Sequence, residues 1–224
     1  MTRAADFDII YGKKIPAREI SQRENGAAAR IAAEWKPSED PSVSPEAAAT
    51  FDAIDECKAV DDGRIYLVNA SGGGVAGIDA KTMKAKWVSF LKPYGAGPHS
   101  CTALPDGRIA VAHSTDIDKL QIVDPRQHPF EPEKQLRKDV MDLRGGHGVH
   151  WDAKRGTLFA LGYTNLFELV YHPETVSVEV KNRWSVLPVC VDPWNHDLVP
   201  DGRGGYHLTN PTAVCHFDPD SGVF

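Results

Sequence analysis

Three histidines and one aspartate recur at a fixed place in a repeating pattern. His99 lies ten residues before Ile109, His196 ten before Tyr206, and Asp55 ten before Ile65. His147 lies eleven before Leu158, the extra residue falling in the intervening turn. Imidazole is the side chain whose charge and metal affinity are most easily tuned near neutral pH. Asp55, His99, His147 and His196 therefore make a metal-ligand inventory that suits Mn²⁺, Fe²⁺ or Zn²⁺ better than Ca²⁺, which prefers oxygen shells. Without a metal the same groups supply a general base and an acid, with His99 and His147 as catalytic candidates. Arg144, in "RGGHGVHWD", is the candidate cation beside them. Polar residues at such positions also serve simply to satisfy channel waters and backbone groups.

The spacing becomes meaningful through the elements that carry it. "DECKAVDDGRIYLV" (55–68) aligns without gaps on "HSCTALPDGRIAVA" (99–112). "HGVHWDAKRGTLFAL" and "HDLVPDGRGGYHLT" repeat the pattern with slightly longer turns. The turn glycines Gly63, Gly107, Gly156 and Gly202 stand 44, 49 and 46 residues apart. Each unit reads as a strand, an Asp-Gly hairpin turn, a β-rich return strand, a small-residue loop and further strands. Four antiparallel strands in 40 to 50 residues describe a propeller blade. The expected fold is all-β, with about four blades of a six- or seven-bladed β-propeller, blades at about 51–93, 94–143, 144–189 and a partial 190–224. Residues 1–50 are expected to be irregular, with a remnant strand at "AARIAAEWKP", a Pro/Ser/Ala linker and a short helix from Pro45.

Inner strands line a propeller's channel, so the four repeat positions should converge at one mouth, opposite the DDG and PDG turns. The return strands end there too, at Asn69, His113, Gly162 and Asn210. Asn69, His113 and Asn210, with Trp194 two residues before His196, are the candidate substrate-binding residues. Asp192 and Asn195 stand close by. His147 is expected to be a solvated functional residue, with Gly145 and Gly146 leaving room for a ligand. His150, three residues on, aligns with Thr102 and is expected to be packed and structural.

The 224 residues suffice for one sizeable domain. A net charge of −6 argues against nucleic acid, which requires a basic surface. No apolar run approaches the roughly 18 residues of a membrane span. The start shows no signal peptide, so a cytoplasmic protein is expected as read, and a secreted one if the N-terminus is incomplete. Cys57, Cys101, Cys190 and Cys215 form no CxxC pair; Cys57 and Cys101 should occupy matching sites in adjacent blades as free thiols.

The stretches "YLVNASGGGVAGID", "GPHSCTALPDGRIAVAHST", "GGHGVHWDAKRGTLFALG" and "HDLVPDG" together resemble a family of uncharacterised propeller proteins, over about residues 30 to 224. That resemblance implies two or three further blades. More distantly, the layout is similar to propeller polysaccharide lyases of the oligogalacturonate and rhamnose–glucuronate types, which gather histidines and in some cases a metal at the channel mouth. It implies a lyase on uronate-containing glycans, with an oligosaccharide or small-molecule ligand. The alternative is a non-catalytic binding or assembly scaffold. An arc left open would also expose edges and favour self-association.

Overall fold

The computed structural model describes residues 33–91, 97–114, 117–189 and 194–224. Four antiparallel sheets follow one another along the chain, each meandering from its first strand to its last. The first sheet holds β1 (Ile54–Val60), β2 (Ile65–Ala70), β3 (Gly74–Asp79) and β4 (Lys84–Phe90). The second holds β5 (Pro98–Ala103), β6 (Ile109–His113), β7 (Lys119–Asp124) and β8 (Leu136–Asp142). The third holds β9 (Gly148–Asp152), β10 (Thr157–Leu161), β11 (Asn165–His172) and β12 (Ser177–Ser185). The fourth, among the described residues, holds β13 (Asp197–Pro200), β14 (Tyr206–Thr209) and β15 (Val214–Phe217). These are four blades of a β-propeller, and their first strands β1, β5, β9 and β13 are neighbours around the axis. The first half of the expected remnant strand lies before residue 33, outside the described residues, as do Cys190 and Asp192, and its second half, 33–37, forms no strand.

The hairpin turns form as their composition requires. Gly63, Gly107, Gly156 and Gly202 all have φ between 65° and 85°, a region that costs an L side chain energy. A Cβ at Gly63, Gly156 or Gly202 would meet nothing within 4 Å, so these glycines supply conformation rather than space. Val60 pairs with Ile65 beside the turn, and Ile54 with Ala70 at the far end. The turns thus lie at the opposite end of each blade from the histidine positions.

The core lies between blades. Leu67, Val75, Cys101 and Val111 pack the first interface; Ala112, Leu120, Val149 and Leu158 the second; Phe159, Leu161, Leu198 and Leu208 the third. The free thiols Cys57 and Cys101 hold matching register positions, opposite Val68 and Val111. Cys101 is sealed in that first interface, whereas Cys57 is exposed.

Residues 33–51 depart from the linker reading. Trp35, Val43, Ala47 and Phe51 are buried against Val68, Ala76, Ile78 and Val88 of the first blade. The Trp35 indole and the Ala85 amide both donate to Asp40 Oδ2, at 3.0 and 2.7 Å. Burying a large apolar side chain is worth about 1.5–3 kcal/mol, which outweighs the local preference of a Pro/Ser/Ala stretch for loop. The helix α1 (Pro45–Ala48) starts at Pro45 as expected, capped by the Ser44 hydroxyl, which accepts from the Ala47 amide.

Polar clasps reinforce the interfaces. Tyr171 donates to Asp106 Oδ2 at 2.8 Å across the second interface, and Tyr206 to Asp152 Oδ2 at 2.9 Å across the third. Arg108 and Arg155 complete these two clusters. At the axis, Lys58 of β1 spans three blades. Its ammonium donates to Ser100 Oγ at 2.8 Å and to the Val149 carbonyl at 2.7 Å, and pairs with Glu56 at 2.9 Å.

Candidate functional site

The repeat position places Asp55, His99, His147 and His196 side by side. Asp55 Oδ1 lies 3.3 Å from His99 Nδ1. The His99 and His147 rings are 4.3 Å apart and those of His147 and His196 4.8 Å. Backbone pairing fixes this convergence: the His147 amide donates to Leu161 and the His196 amide to Thr209, each at the start of a first strand. Tyr163 stacks on His147 at 5.8 Å, and Trp194 packs on Tyr163 at 4.6 Å. The mouth therefore carries one continuous arc of rings, His99–His147–His196 with Tyr163 and Trp194 beside it.

His147 is the centre of the arc and is only 5% exposed. This corrects the expectation of a solvated histidine. The glycines before it also act differently from the expected ligand space. A Cβ on Gly145, at φ +60°, would stand 2.1 Å from the Tyr163 ring, and one on Gly146 2.9 Å from the His113 carbonyl. The room they leave is filled by the protein's own ring and backbone. His147 Nδ1 lies 3.0 Å from the Gly145 carbonyl. A carbonyl only accepts, so Nδ1 carries the proton and Nε2 keeps its lone pair. Burial pushes His147 down to about 4, helped by His99 and His196 and opposed by the Gly145 carbonyl and Asp118. Burial likewise lowers His99, against the pull of Asp55. At neutral pH the central ring of the arc, His147, is therefore uncharged.

The remaining candidates separate. Asn69 and His113 have no solvent exposure. Asn69 donates to the Pro98 carbonyl at 2.7 Å, joining two blades, while its Oδ1 and both His113 ring nitrogens are buried without hydrogen-bond partners among the described residues. Burial holds His113 down to about 4. Asn210 uses Oδ1 to accept from Thr212 and Ala213 within its own turn. Asn195 donates to the Tyr163 carbonyl and ties the mouth of the fourth blade to the third. Trp194 and His196 are exposed. Arg144 is exposed and lines a depression of ≈440 Å³ with Tyr163, Phe167 and Arg183, so this depression borders the ring arc. His150 is half-buried and makes no hydrogen bond among the described residues; its ring packs edge to face on the buried Tyr206, and it also lines an axial cavity. Tyr163 was missed by the repeat analysis; its signal was Gly145, whose lack of a side chain marks where a ring must come close.

Among the described residues, no group of three His, Cys, Asp or Glu side chains is arranged to hold a metal ion. The imidazoles meet tilted and edge to face, at interplanar angles of 41° and 61°. No helix among them is long and apolar enough to cross a membrane.

Residues 18–221 match the model of a family of unknown function, DUF6528. The chain belongs to that family. No curated protein matches it. Among solved structures, this DUF6528 chain is similar to the β-propeller domain of Swd1 from Myceliophteria thermophila, at 14% identity and TM-score 0.55, covering 74% of this chain and 52% of that one. It is similar to a chain of a mitotic checkpoint complex at 10% identity and TM-score 0.53, covering 72% and 47%. It is also similar to an auxiliary nutrient binding protein from Bacteroides ovatus at 10% identity and TM-score 0.51, covering 77% and 40%. The chain thus spans about half the length of these structures or less. At such identity the likeness shows the propeller fold alone, and none of these three names a polysaccharide lyase.

Proposed function

We propose that this DUF6528 chain is a non-catalytic binding module whose recognition surface is the propeller mouth, with a ring-shaped small molecule or sugar as its ligand. The arc of rings from His99 to Trp194 carries this reading. Rings offer large, stiff contact area at low entropic cost, and imidazole edges add hydrogen bonds. Trp194, half exposed at 50%, offers ring surface on which a ligand face can stack. Two of the similar structures are named for a multi-protein assembly or for nutrient binding, uses that the fold accommodates without chemistry.

The lyase reading fits the mouth less well. β-Elimination next to a carboxylate needs a positive group to stabilise the enolate. Burial holds His147, the centre of the arc, neutral, and the acidic side chain of Asp55 sits against His99. A uronate would therefore find no positive charge on the central ring of the arc.

The test combines binding and turnover. The purified chain is titrated with neutral, amino and uronate oligosaccharides, while ultraviolet absorbance follows any unsaturated product and elemental analysis reports metal content. Saturable binding without product is expected. Product formation that disappears in His147→Ala, or a stoichiometric divalent metal lost in the same variant, would overturn the reading in favour of catalysis or metal binding.

A further inference from the structure

Between the inner strands lies a second feature, separate from the ring arc. A cavity of ≈450 Å³ is lined by β1, by His150 and Trp151 of β9, and by Asp197–Pro200 of β13. That volume falls within the range of about 300–1,000 Å³ typical of small-molecule sites. Ala59, Val60, Leu198 and Val199 give it apolar walls.

Its polar groups are unevenly committed. Lys58 spends its three ammonium protons on Glu56, Ser100 and the Val149 carbonyl. Glu56 spends one oxygen on Lys58 and the other on the Cys101 amide. Asp61, at the rim, is paired with Arg64. Asp197 uses only Oδ1, which accepts from the Leu198 amide at 2.7 Å; its second oxygen has no hydrogen-bond partner among the described residues. The His150 ring likewise makes none, and burial holds it neutral. With Lys58 (+1) cancelling Glu56 (−1), Asp197 leaves the cavity with one uncompensated negative charge.

We propose that this axial cavity is a second ligand site, which takes a primary ammonium group on a short apolar body, with Asp197 as its counter-ion. An anionic ligand would face Asp197 with Lys58 already fully engaged. A guanidinium prefers two carboxylate oxygens in a fork, and only one is free here. A compact ammonium needs one oxygen and can give a second proton to the His150 lone pair. The apolar walls then cover the ligand's hydrocarbon part.

Isothermal titration calorimetry of the full chain with n-pentylamine, 1-pentanol and pentanoate at neutral pH tests this. The amine is expected to bind at one saturable site. The alcohol should bind at least about tenfold more weakly, equivalent to about 1.4 kcal/mol, and the carboxylate should give no saturable heat. Asp197→Asn should weaken the amine by a similar factor. Val199→Trp, which fills the cavity from an exposed wall position, should abolish binding, while Trp194→Ala at the mouth should leave it unchanged. Alcohol binding as tight as the amine, an unaffected Asp197→Asn variant, or no saturable amine heat would each overturn the proposal. Should Asp197→Asn fail to fold, the alcohol comparison and Val199→Trp still decide.

Discussion

Lys58→Met should reveal how the axis is held together. The Lys58 ammonium sits 2.9 Å from Glu56, and the two side chains are only 18% and 14% exposed. Removing one partner of a largely buried pair leaves the other charge uncompensated, a loss of about 3–5 kcal/mol when burial is complete; partial exposure places this pair at the lower end. Ser100 and the Val149 carbonyl also lose their donor. Glu56 can escape by taking up a proton. Burial already raises its affinity for one, Asp197 adds to that, and Lys58 is the main opposing group. Without Lys58, the folded-state value rises further above that of the unfolded chain. Stability contributed by a group raised in this way is full below its unfolded value and is lost as pH climbs through the folded one. The loss in Lys58→Met should therefore be small near pH 5 and grow toward pH 8, by up to about 1.4 kcal/mol per unit until the folded value is passed. Glu56→Gln/Lys58→Met should recover much of the loss, because the double variant buries no lone charge. Urea midpoints of wild type, both single variants and the double variant at the two pH values measure this directly. A Lys58→Met loss that is the same at both, or below about 0.5 kcal/mol throughout, refutes the reasoning.

Acid should destabilise the wild type early. His113, His147 and His150 are each held down to about 4 by burial, so the unfolded chain binds their protons first, and stability should fall from about pH 6.5 toward pH 4 in a urea series. A stability profile flat across that window contradicts the burial of these rings. Tyr206→Phe should cost about 1.5–3 kcal/mol, the range for a hydrogen bond to a charged group, by removing the donor to Asp152; thermal or urea unfolding reads it. His147→Ala should cost about 1–3 kcal/mol through the lost Gly145 contact and ring packing, whereas His196→Ala, at an exposed position, should stay within about 0.5 kcal/mol.

The repeat was legible because turns and strands have local chemistry. Asp-Gly pairs and alternating β-branched runs specify hairpins wherever they stand, and the count of ten residues from histidine to return strand carried the convergence of four side chains through to the folded chain. Burial at the mouth was not legible in the same way. His147 and His196 share a register position, yet one is sealed and the other exposed, because Tyr163 stacks on His147 through space opened by Gly145. That contact joins neighbouring loops, and periodicity does not describe it. The packing of residues 33–51 escaped for a similar reason: Trp35 and Phe51 meet edge to face and are buried together against the first blade, contacts far apart in sequence. Lys58 occupies the same register position as His150, but the length of its side chain lets it reach two other blades.

The central claim is that the ring arc at the mouth binds a ligand. It is tested most directly by the affinity of Trp194→Ala and His196→Ala for the tightest ligand found by titration, since both side chains are exposed and their removal should leave the fold intact. Base-to-ring stacking losses in other proteins are about 1–3 kcal/mol per ring, and a loss of that size, about tenfold or more, is expected for Trp194→Ala, with a smaller loss for His196→Ala. Wild-type affinity in both variants would place recognition elsewhere on the propeller and contradict the account.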